Sequence, residues 1–259
     1  MAGLKFHHLN CGTFCPFGGK LVNSSPARMV CHCLLVETPR NGLLLVDTGL
    51  GEQVMNGGEH LLELGFKLAA RPRLEPNATA TAQLKKLGFD PSDVRHVVLT
   101  HMDVDHAGGL REFPGAEVHV FRREHQEAMS PTTIMGHRRY PKRMWSHGPK
   151  WVLHGELGDL PSEILLVPLV GHTPGHCGVA LESESGWIMH AGDAYFHSAE
   201  MESEPHCPPG LVAFQNIMQW SRRERLRNPA RLRTLVRAPD ERVRVFCAHD
   251  PSEFDRSLL

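Results

Sequence analysis

The stretch Thr100-His101-Met102-Asp103-Val104-Asp105-His106-Ala107-Gly108-Gly109 places four imidazole or carboxylate side chains within six residues. It follows the apolar run Val97-Val98-Leu99, which predicts a buried strand. Side chains this dense can converge on a metal ion only if the chain leaves the strand and curls. The Ala-Gly-Gly that follows permits the close packing which such a curl needs. We therefore expect a metal-binding loop at the end of this strand.

Three further apolar runs lead into segments of the same kind. These segments are Gly171-His172-Thr173-Pro174-Gly175-His176, His190-Ala191-Gly192-Asp193 and Ala248-His249-Asp250. In α/β proteins, functional groups gather on the loops beyond strand ends. The four segments are therefore expected to meet at one edge of the fold.

Short runs rich in Val, Leu and Ile, bounded by Gly, Pro, Asp or Asn, predict strands. They are Leu4–Leu9, Val30–Glu37, Leu43–Asp47, His96–Thr100, Ala116–Phe121, Ile164–Val170, Gly178–Glu182, Trp187–Ala191 and Val243–Cys247. Helices are predicted at Thr79–Leu87, Arg122–Met129 and Ala213–Arg227. This mixture predicts a layered α/β (α+β) fold, and the length of 259 residues suits a single domain over 1–259. Two long, irregular stretches, Leu50–Asn77 and Ser130–Leu160, are interpreted either as walls of a substrate pocket or as surface loops.

A formal net charge of -1 gives no general attraction to nucleic acid or to an anionic membrane, so neither partner is expected. The sequence has no apolar run long enough to cross a bilayer and no signal-like start, which predicts a cytoplasmic protein. The seven cysteines form no regular framework, which favours reduced thiols. The alternation in Cys31-His32-Cys33 fits a strand better than a metal clip.

At these motifs the chain resembles the metallo-β-lactamase superfamily, and the resemblance covers most of the sequence. Leu45-Val46-Asp47-Thr48-Gly49 is similar to the early Asp-Thr-Gly turn of that family. The resemblance implies an αββα sandwich and two divalent metal ions. It implies that one ion is bound by His101, Asp103 and His172, and the other by Asp105, His106 and His249. Asp193 would be the bridging carboxylate, with Asp47 and His176 in supporting positions.

One residue departs from the family pattern His-x-His-x-Asp-His, because Asp103 stands where the second His is usual. A carboxylate adds charge and a harder oxygen donor, so we expect zinc with tolerance of iron or manganese. The flavodiiron proteins of the same superfamily resemble the chain in having a carboxylate there. Their redox chemistry needs a flavin domain, for which the ten residues after His249 leave no room. Flavodiiron-like redox chemistry and a non-catalytic metal-binding sensor remain the alternatives to hydrolysis.

The expected reaction is attack on a carbonyl by hydroxide held between the two metals, with Asp193 bridging them and Asp105 orienting the nucleophile. The resemblance to N-acyl-homoserine lactonases favours a small ester or lactone. A thioester, as in glyoxalase II, comes second. A phosphodiester or organophosphate is third, supported only by the basic run His137–Arg143. Candidate substrate contacts are Tyr140, Arg143, Trp145 and Tyr195. A homodimer is possible, but the oligomeric state is left open.

The first prediction concerns metal content. The protein should purify with close to two transition-metal ions per chain, because a bridging carboxylate is useful only between two ions. Elemental analysis of the purified protein measures this ratio. A protein that is isolated without metal, and that also fails to bind added zinc, manganese or iron, would contradict the interpretation.

Overall fold

The computed structural model describes residues 4–16, 18–19, 28–39, 41–58, 62–131, 134–155, 160, 163–238 and 242–257. Within them, strands form two sheets. The strands are β1 (Lys5–Phe14), β2 (Met29–Thr38), β3 (Gly42–Val46), β4 (Pro72–Arg73), β5 (Val94–Val98), β6 (Glu117–Phe121), β7 (Lys150–His154), β8 (Ile164–Pro168), β9 (Cys177–Ser183), β10 (Gly186–His190) and β11 (Val243–Phe246). The larger sheet has the order β4-β1-β2-β3-β5-β6-β7, and the smaller has the order β11-β10-β9-β8.

Successive side chains of a strand point to opposite sides of its sheet. Because both sets of side chains are largely apolar here, each sheet has two apolar faces. On β2 and β3, Leu34 and Val46 pack between the two sheets, against residues such as Val179 of the smaller sheet. Their neighbours Leu35 and Leu45 pack on the opposite, helix-covered face. The core therefore consists of a layer between the sheets and further layers outside them.

Helices cover the outer faces of both sheets. The α-helices are α1 (Glu52–Met55), α2 (Leu64–Ala70), α3 (Ala80–Lys86), α4 (Val104–Ala107), α5 (Arg122–Met129), α6 (Ile134–Arg139), α7 (Pro209–Met218), α8 (Arg222–Val236) and α9 (Pro251–Ser257). Leu84 of α3 and Ala128 of α5 belong to the core on the larger sheet. Leu232 of α8 packs on the outer face of the smaller sheet. This αββα layering confirms the predicted fold class.

The predicted helix over Ala213–Arg227 is wrong, because the chain forms α7 and α8 with a break between them. At the break, the backbone nitrogens of Trp220 and Ser221 donate to the carbonyl oxygens of His172 and Gly171, at 3.0 Å each. The Ser221 side chain then caps α8 by accepting from the backbone nitrogen of Glu224. At the break between α7 and α8, hydrogen bonds to a loop distant in sequence therefore replace the backbone hydrogen bonds of a continuous helix.

Only glycine fits at position 171 in this arrangement. Its φ is +145°, and a Cβ there would lie 2.3 Å from the backbone nitrogen of Arg225. The close approach brings the loop that carries His172 directly against the start of α8.

The two irregular stretches contain more regular structure than the sequence indicated. Leu50–Asn77 includes α1, α2 and β4, and Ser130–Leu160 includes α6 and the edge strand β7. Residues 132–133 and 156–159 of the second stretch lie outside the described residues. β7 was missed because its apolar run, Trp151-Val152-Leu153, is only three residues long and is bounded by Lys150 and His154.

Parallel pairing explains why the functional loops share one edge. β3, β5 and β6 run parallel to one another, as do β10 and β11. Their carboxyl ends therefore lie at a common edge of each sheet. The backbone nitrogen of Cys177 donates to the carbonyl oxygen of Thr100 at 2.9 Å, which joins the two edges.

All seven cysteines are free, and none of the described helices is long and apolar enough to cross a membrane.

Candidate metal centre

The loop after β5 curls immediately, and it begins the short helix α4 with Asp103 at the N-cap position. His101 precedes this cap, while Asp105 and His106 lie within the helix. All four side chains are at least 90% buried. The structure therefore brings together the cluster that the sequence predicted at this strand end.

The imidazole and carboxylate side chains of the four loops form two groups of potential ligand atoms, each within 4.8 Å of one another. The first group is His101, Asp103, His172 and Asp193, and the second is Asp105, His106 and His249. In the first group, Asp103 Oδ2 lies 3.2 Å from His101 Nε2 and 3.1 Å from His172 Nε2. In the second, His249 Nε2 lies 3.5 Å from Asp105 Oδ2. Two ligands of one tetrahedral zinc ion are about 3.4 Å apart, so both groups have suitable dimensions.

Asp193 lies between the two groups, and each of its carboxylate oxygens faces one of them. Oδ1 is 3.3 Å from His106 Nε2 and 3.1 Å from His249 Nε2. Oδ2 is 3.2 Å from His172 Nε2 and 3.9 Å from His101 Nε2. This is the arrangement that a carboxylate bridging two cations requires.

Asp47 fixes the orientation of His106. Its Oδ1 accepts from the backbone nitrogen of Thr100, and its Oδ2 accepts from Thr100 Oγ1 and His106 Nδ1, each at 2.8 Å. Because Nδ1 of His106 carries the proton in this bond, Nε2 presents a lone pair to the cluster. Asp47 adopts a left-handed backbone conformation with φ 58°. Its three hydrogen bonds hold that strained turn in place.

The remaining histidines have equally defined roles. His249 Nδ1 donates to the carbonyl oxygen of Val30 at 2.7 Å, which directs the Nε2 lone pair toward Asp193. His176 differs, because Nδ1 donates to the Leu169 carbonyl oxygen at 2.9 Å and Nε2 accepts from the Asp193 backbone nitrogen at 2.8 Å. Both nitrogens of His176 are occupied, so this residue positions the Asp193 loop and has no lone pair left for a metal.

The electrostatics of the cluster favour cations. Burial opposes ionisation of Asp193, but the imidazoles of His249, His106 and His172 hold its pKa well below its ordinary value. Burial likewise opposes protonation of His106, but the carboxylates of Asp193 and Asp105 raise its pKa well above its ordinary value. The buried atoms His106 Nε2 and Asp193 Oδ1 nevertheless make no hydrogen bond. Unpaired buried ligand atoms in a field that attracts positive charge fit bound metal ions.

Glu124 is a supporting residue that sequence analysis missed. Its fully buried carboxylate accepts from the backbone nitrogens of Met102 and Gly175, at 2.9 and 3.1 Å. It also accepts from Thr173 Oγ1 at 2.5 Å and from the hydroxyl of Tyr140 at 3.2 Å. One side chain of α5 thus holds the loops that carry His101 and His172 together. A single Glu in a polar helix gives no sequence signal of this role.

Arg139 at the end of α6 is the second residue that was missed. Its guanidinium group is bidentate on the carboxylate of Asp103 and contacts His172 Nε2. It also donates to the carbonyl oxygens of His172 and Met218, at 3.2 and 2.7 Å. Burial disfavours the charged form of Arg139, but the Asp103 carboxylate raises its pKa above the ordinary value. The basic run predicted positive charge in this segment, but not which side chain points inward.

A largely apolar cleft lies over the carboxylates of the cluster. A cavity of about 270 Å³ is lined by Asp103, Asp105 and Asp193 together with apolar residues that include Phe14, Phe66, Phe196, Leu211 and Phe214. A second cavity of about 310 Å³ shares Phe66, Phe214 and both Asp103 and Asp105 with the first, and reaches Arg139 and Pro141. Helices α2 and α7 form the walls, so the Leu50–Asn77 stretch supplies one wall of the cleft.

None of the four substrate contacts expected from the sequence is among the described residues that line these two cavities. The hydroxyl of Tyr140 donates to Glu124, and that of Tyr195 donates to Glu253 at 3.0 Å. Trp145 is buried in the helix-side core, and Arg143 is exposed. The aromatic and basic residue types predicted a pocket wall. In the structure, the aromatic side chains of Tyr140, Trp145 and Tyr195 are packed in the core instead.

Comparison with known proteins agrees with this geometry. A family model described as the metallo-beta-lactamase superfamily matches residues 27–239. A probable metallo-hydrolase of Mycobacterium tuberculosis is 37% identical over 96% of this chain and 81% of that protein. An N-acyl homoserine lactonase of Bacillus thuringiensis is 29% identical over 72% of this chain and 70% of its own.

Among solved structures, an N-acyl homoserine lactone hydrolase with the product N-hexanoyl-L-homoserine at its catalytic metal centre superposes with a TM-score of 0.77. The match covers 99% of this chain and 97% of that chain at 23% identity. At this identity the likeness shows a shared fold.

The contact between Asp103 and Arg139 generates the second prediction. In metal-free protein, Asp103→Ala should lower the free energy of unfolding by about 3–5 kcal/mol, because it leaves a buried guanidinium unpaired. Arg139→Met should relieve much of that loss in the double variant, giving a coupling energy above about 1 kcal/mol. Urea denaturation of the four proteins measures the cycle. Lys142→Met, at an exposed neighbouring position, is the control and should change stability by less than about 0.5 kcal/mol. If the two substitutions change the free energy of unfolding additively, Asp103 and Arg139 do not stabilise the protein as a coupled pair.

Proposed function

The chain belongs to the metallo-β-lactamase superfamily and is a metal-dependent hydrolase, and from that premise we propose that it opens lactones or cleaves related esters that carry an apolar acyl group. The observation that carries the proposal is the apolar cleft directly over the metal-ligating carboxylates. We propose two divalent ions as cofactors, zinc first, with iron or manganese accepted because of Asp103.

The two ligand groups and the bridging position of Asp193 support a dinuclear centre. His101, Asp103 and His172 would hold one ion, Asp105, His106 and His249 the other, and Asp193 would bridge them. When bound, two such ions supply an activated water at neutral pH and polarise a carbonyl oxygen.

Asp105 is the residue we propose to orient the attacking water. Its carboxylate lines both cavities and is 8% exposed, so it lies at the floor of the cleft. Its Oδ2 is 3.5 Å from His249 Nε2, which keeps it within the ligand group while it faces the substrate space. For Asp193, which is 3% exposed, we propose the role of holding the centre together.

The walls of the cleft favour an uncharged acyl group. Phe66 on α2 and Phe214 on α7 line both cavities. Each methylene removed from water is worth about 0.8 kcal/mol, so a longer acyl chain should bind better until the cleft is filled. The lactonase similarity adds a substrate that combines a small lactone with such a chain.

The cleft gives less support to a phosphodiester substrate. Arg139 is the only basic residue of the run His137–Arg143 among the described residues that line the two cavities. Its guanidinium already pairs with Asp103 and donates to two backbone carbonyl oxygens. A thioester would be attacked at the same kind of carbonyl, and it is therefore included in the test.

The third prediction tests the substrate class. Metal-loaded protein should hydrolyse N-acyl homoserine lactones, with kcat/KM rising about fourfold per methylene over short acyl chains. Activity on S-acyl thioesters and on bis-(p-nitrophenyl) phosphate should be at least tenfold lower. Phe214→Ala should flatten the dependence on chain length with metal content unchanged, because it removes wall and no ligand.

Val212→Ala is the matched control, since it shortens an exposed side chain of the same helix and should leave the profile unchanged. Equal activity on short and long acyl chains would contradict the assigned role of the cleft. A preference for the phosphodiester would contradict the proposed substrate class.

A further inference from the structure

A second cluster of potential ligands lies on the larger sheet, away from the metal centre. His96 on β5 is the register partner of Glu117 on β6, and His119 follows two residues later on β6. His96 Nδ1 lies 3.0 Å from His119 Nε2 and 3.7 Å from Glu117 Oε2. The ligand atoms of the three residues lie within 4.8 Å of one another.

The three side chains share one face of the sheet because residues two apart along a strand point the same way. His96 is two residues before Val98, and His119 is two residues before Phe121. Val98 and Phe121 both pack between the sheets. The cluster therefore continues that inner face toward the amino-terminal ends of β5 and β6, whereas His101 follows the carboxyl end of β5.

We propose that His96, Glu117 and His119 form a separate site for a single transition-metal ion of the zinc, nickel or copper class. Two imidazoles and one carboxylate are common ligands for these ions, and water can complete the coordination. The separations of 3.0 and 3.7 Å bracket the spacing of about 3.4 Å that a tetrahedral ion requires.

A further histidine orients His119 for this role. His119 Nδ1 lies 3.0 Å from His154 Nε2 on β7, and the two rings are stacked. When Nδ1 donates its proton to His154, the Nε2 lone pair of His119 points to the cluster, as in metal sites whose ligating histidine is fixed by a second partner. Burial, followed by the neighbouring His96 and His154, lowers the pKa of His119 to about 4, so the ring is neutral and able to ligate.

Accessibility and charge at the cluster suit an ion that enters from solvent. The side chain of Glu117 is 54% exposed and that of His96 is 23% exposed, while His119 is buried. Lys150 is the register partner of Glu117 on β7, but its ammonium donates to the carbonyl oxygen of Gly115 at 3.1 Å. Without metal, the Nδ1 proton of His96 bridges to His119 Nε2. When the ion binds both nitrogens, His96 carries its single proton on Nε2 instead, so the ring stays neutral and no net proton is lost to solvent.

The ion would link β5 to β6 without joining the active centre. His96 lies within β5, which ends at Val98, and His101 lies in the loop beyond that end, so the two sites are separated along the strand. Binding should therefore raise thermal stability, with hydrolytic activity unchanged.

The test is a titration of ZnCl₂ into protein that already holds its active-centre metal, followed by calorimetry, thermal denaturation and elemental analysis. We expect one additional equivalent per chain and a higher Tm. His96→Gln and Glu117→Gln should each weaken this binding at least tenfold while turnover and active-centre metal stay as in the parent. His206→Gln, at an exposed histidine elsewhere in the chain, is the matched control and should bind the extra equivalent normally.

Three outcomes would overturn the proposal. The parent protein could bind no extra equivalent, which would make the cluster a hydrogen-bonded row of histidines only. Both variants could bind it as the parent does, or His206→Gln could abolish it. Because the readouts are stoichiometry and Tm, the result is independent of which substrate the active centre hydrolyses.

Discussion

Burying the carboxylate of Asp193 among the imidazoles of three other loops is the constraint on which the rest of the structure depends. A buried carboxylate without partners costs several kcal/mol, so it is tolerated only where positive charge or hydrogen bonds surround it. Asp193 is 3% exposed and lies within 3.3 Å of His106, His172 and His249. Each of these histidines comes from a different loop, and each loop follows a strand of one or the other sheet. The parallel strands must therefore end at a common edge.

A set of buried polar residues holds those loops in place around Asp193. Asp47 orients His106, His176 fixes the backbone of Asp193, and Glu124 ties the loop of His101 to that of His172. Arg139 adds a cation beside Asp103, which carries negative charge where the family usually has a neutral histidine. The extra charge of that aspartate is thereby matched within the protein, and α6 is joined to the centre. The apolar cleft between α2 and α7 lies directly over the carboxylates of this centre.

Sequence patterns predicted the layered fold and the convergence of the functional loops, because strand ends followed by His and Asp are local signals. They also indicated the residues that the structure groups around Asp193. What they missed depends on long-range contacts. Glu124 and Arg139 lie in helices with no motif, and only packing shows that they face inward. Tyr140, Trp145 and Tyr195 have the residue types of a binding wall, yet their rings fill the core. The break between α7 and α8 depends on hydrogen bonds to a loop nearly fifty residues earlier in the chain, which periodicity cannot report.

The central claim is that four strand-end loops build one centre for two metal ions that share Asp193. The most direct measurement is an anomalous difference map at the zinc edge from crystals of the metal-loaded protein. Two peaks are predicted, one among His101, Asp103 and His172 and the other among Asp105, His106 and His249, with one oxygen of Asp193 facing each. A single peak, or peaks that Asp193 does not contact, would contradict the account.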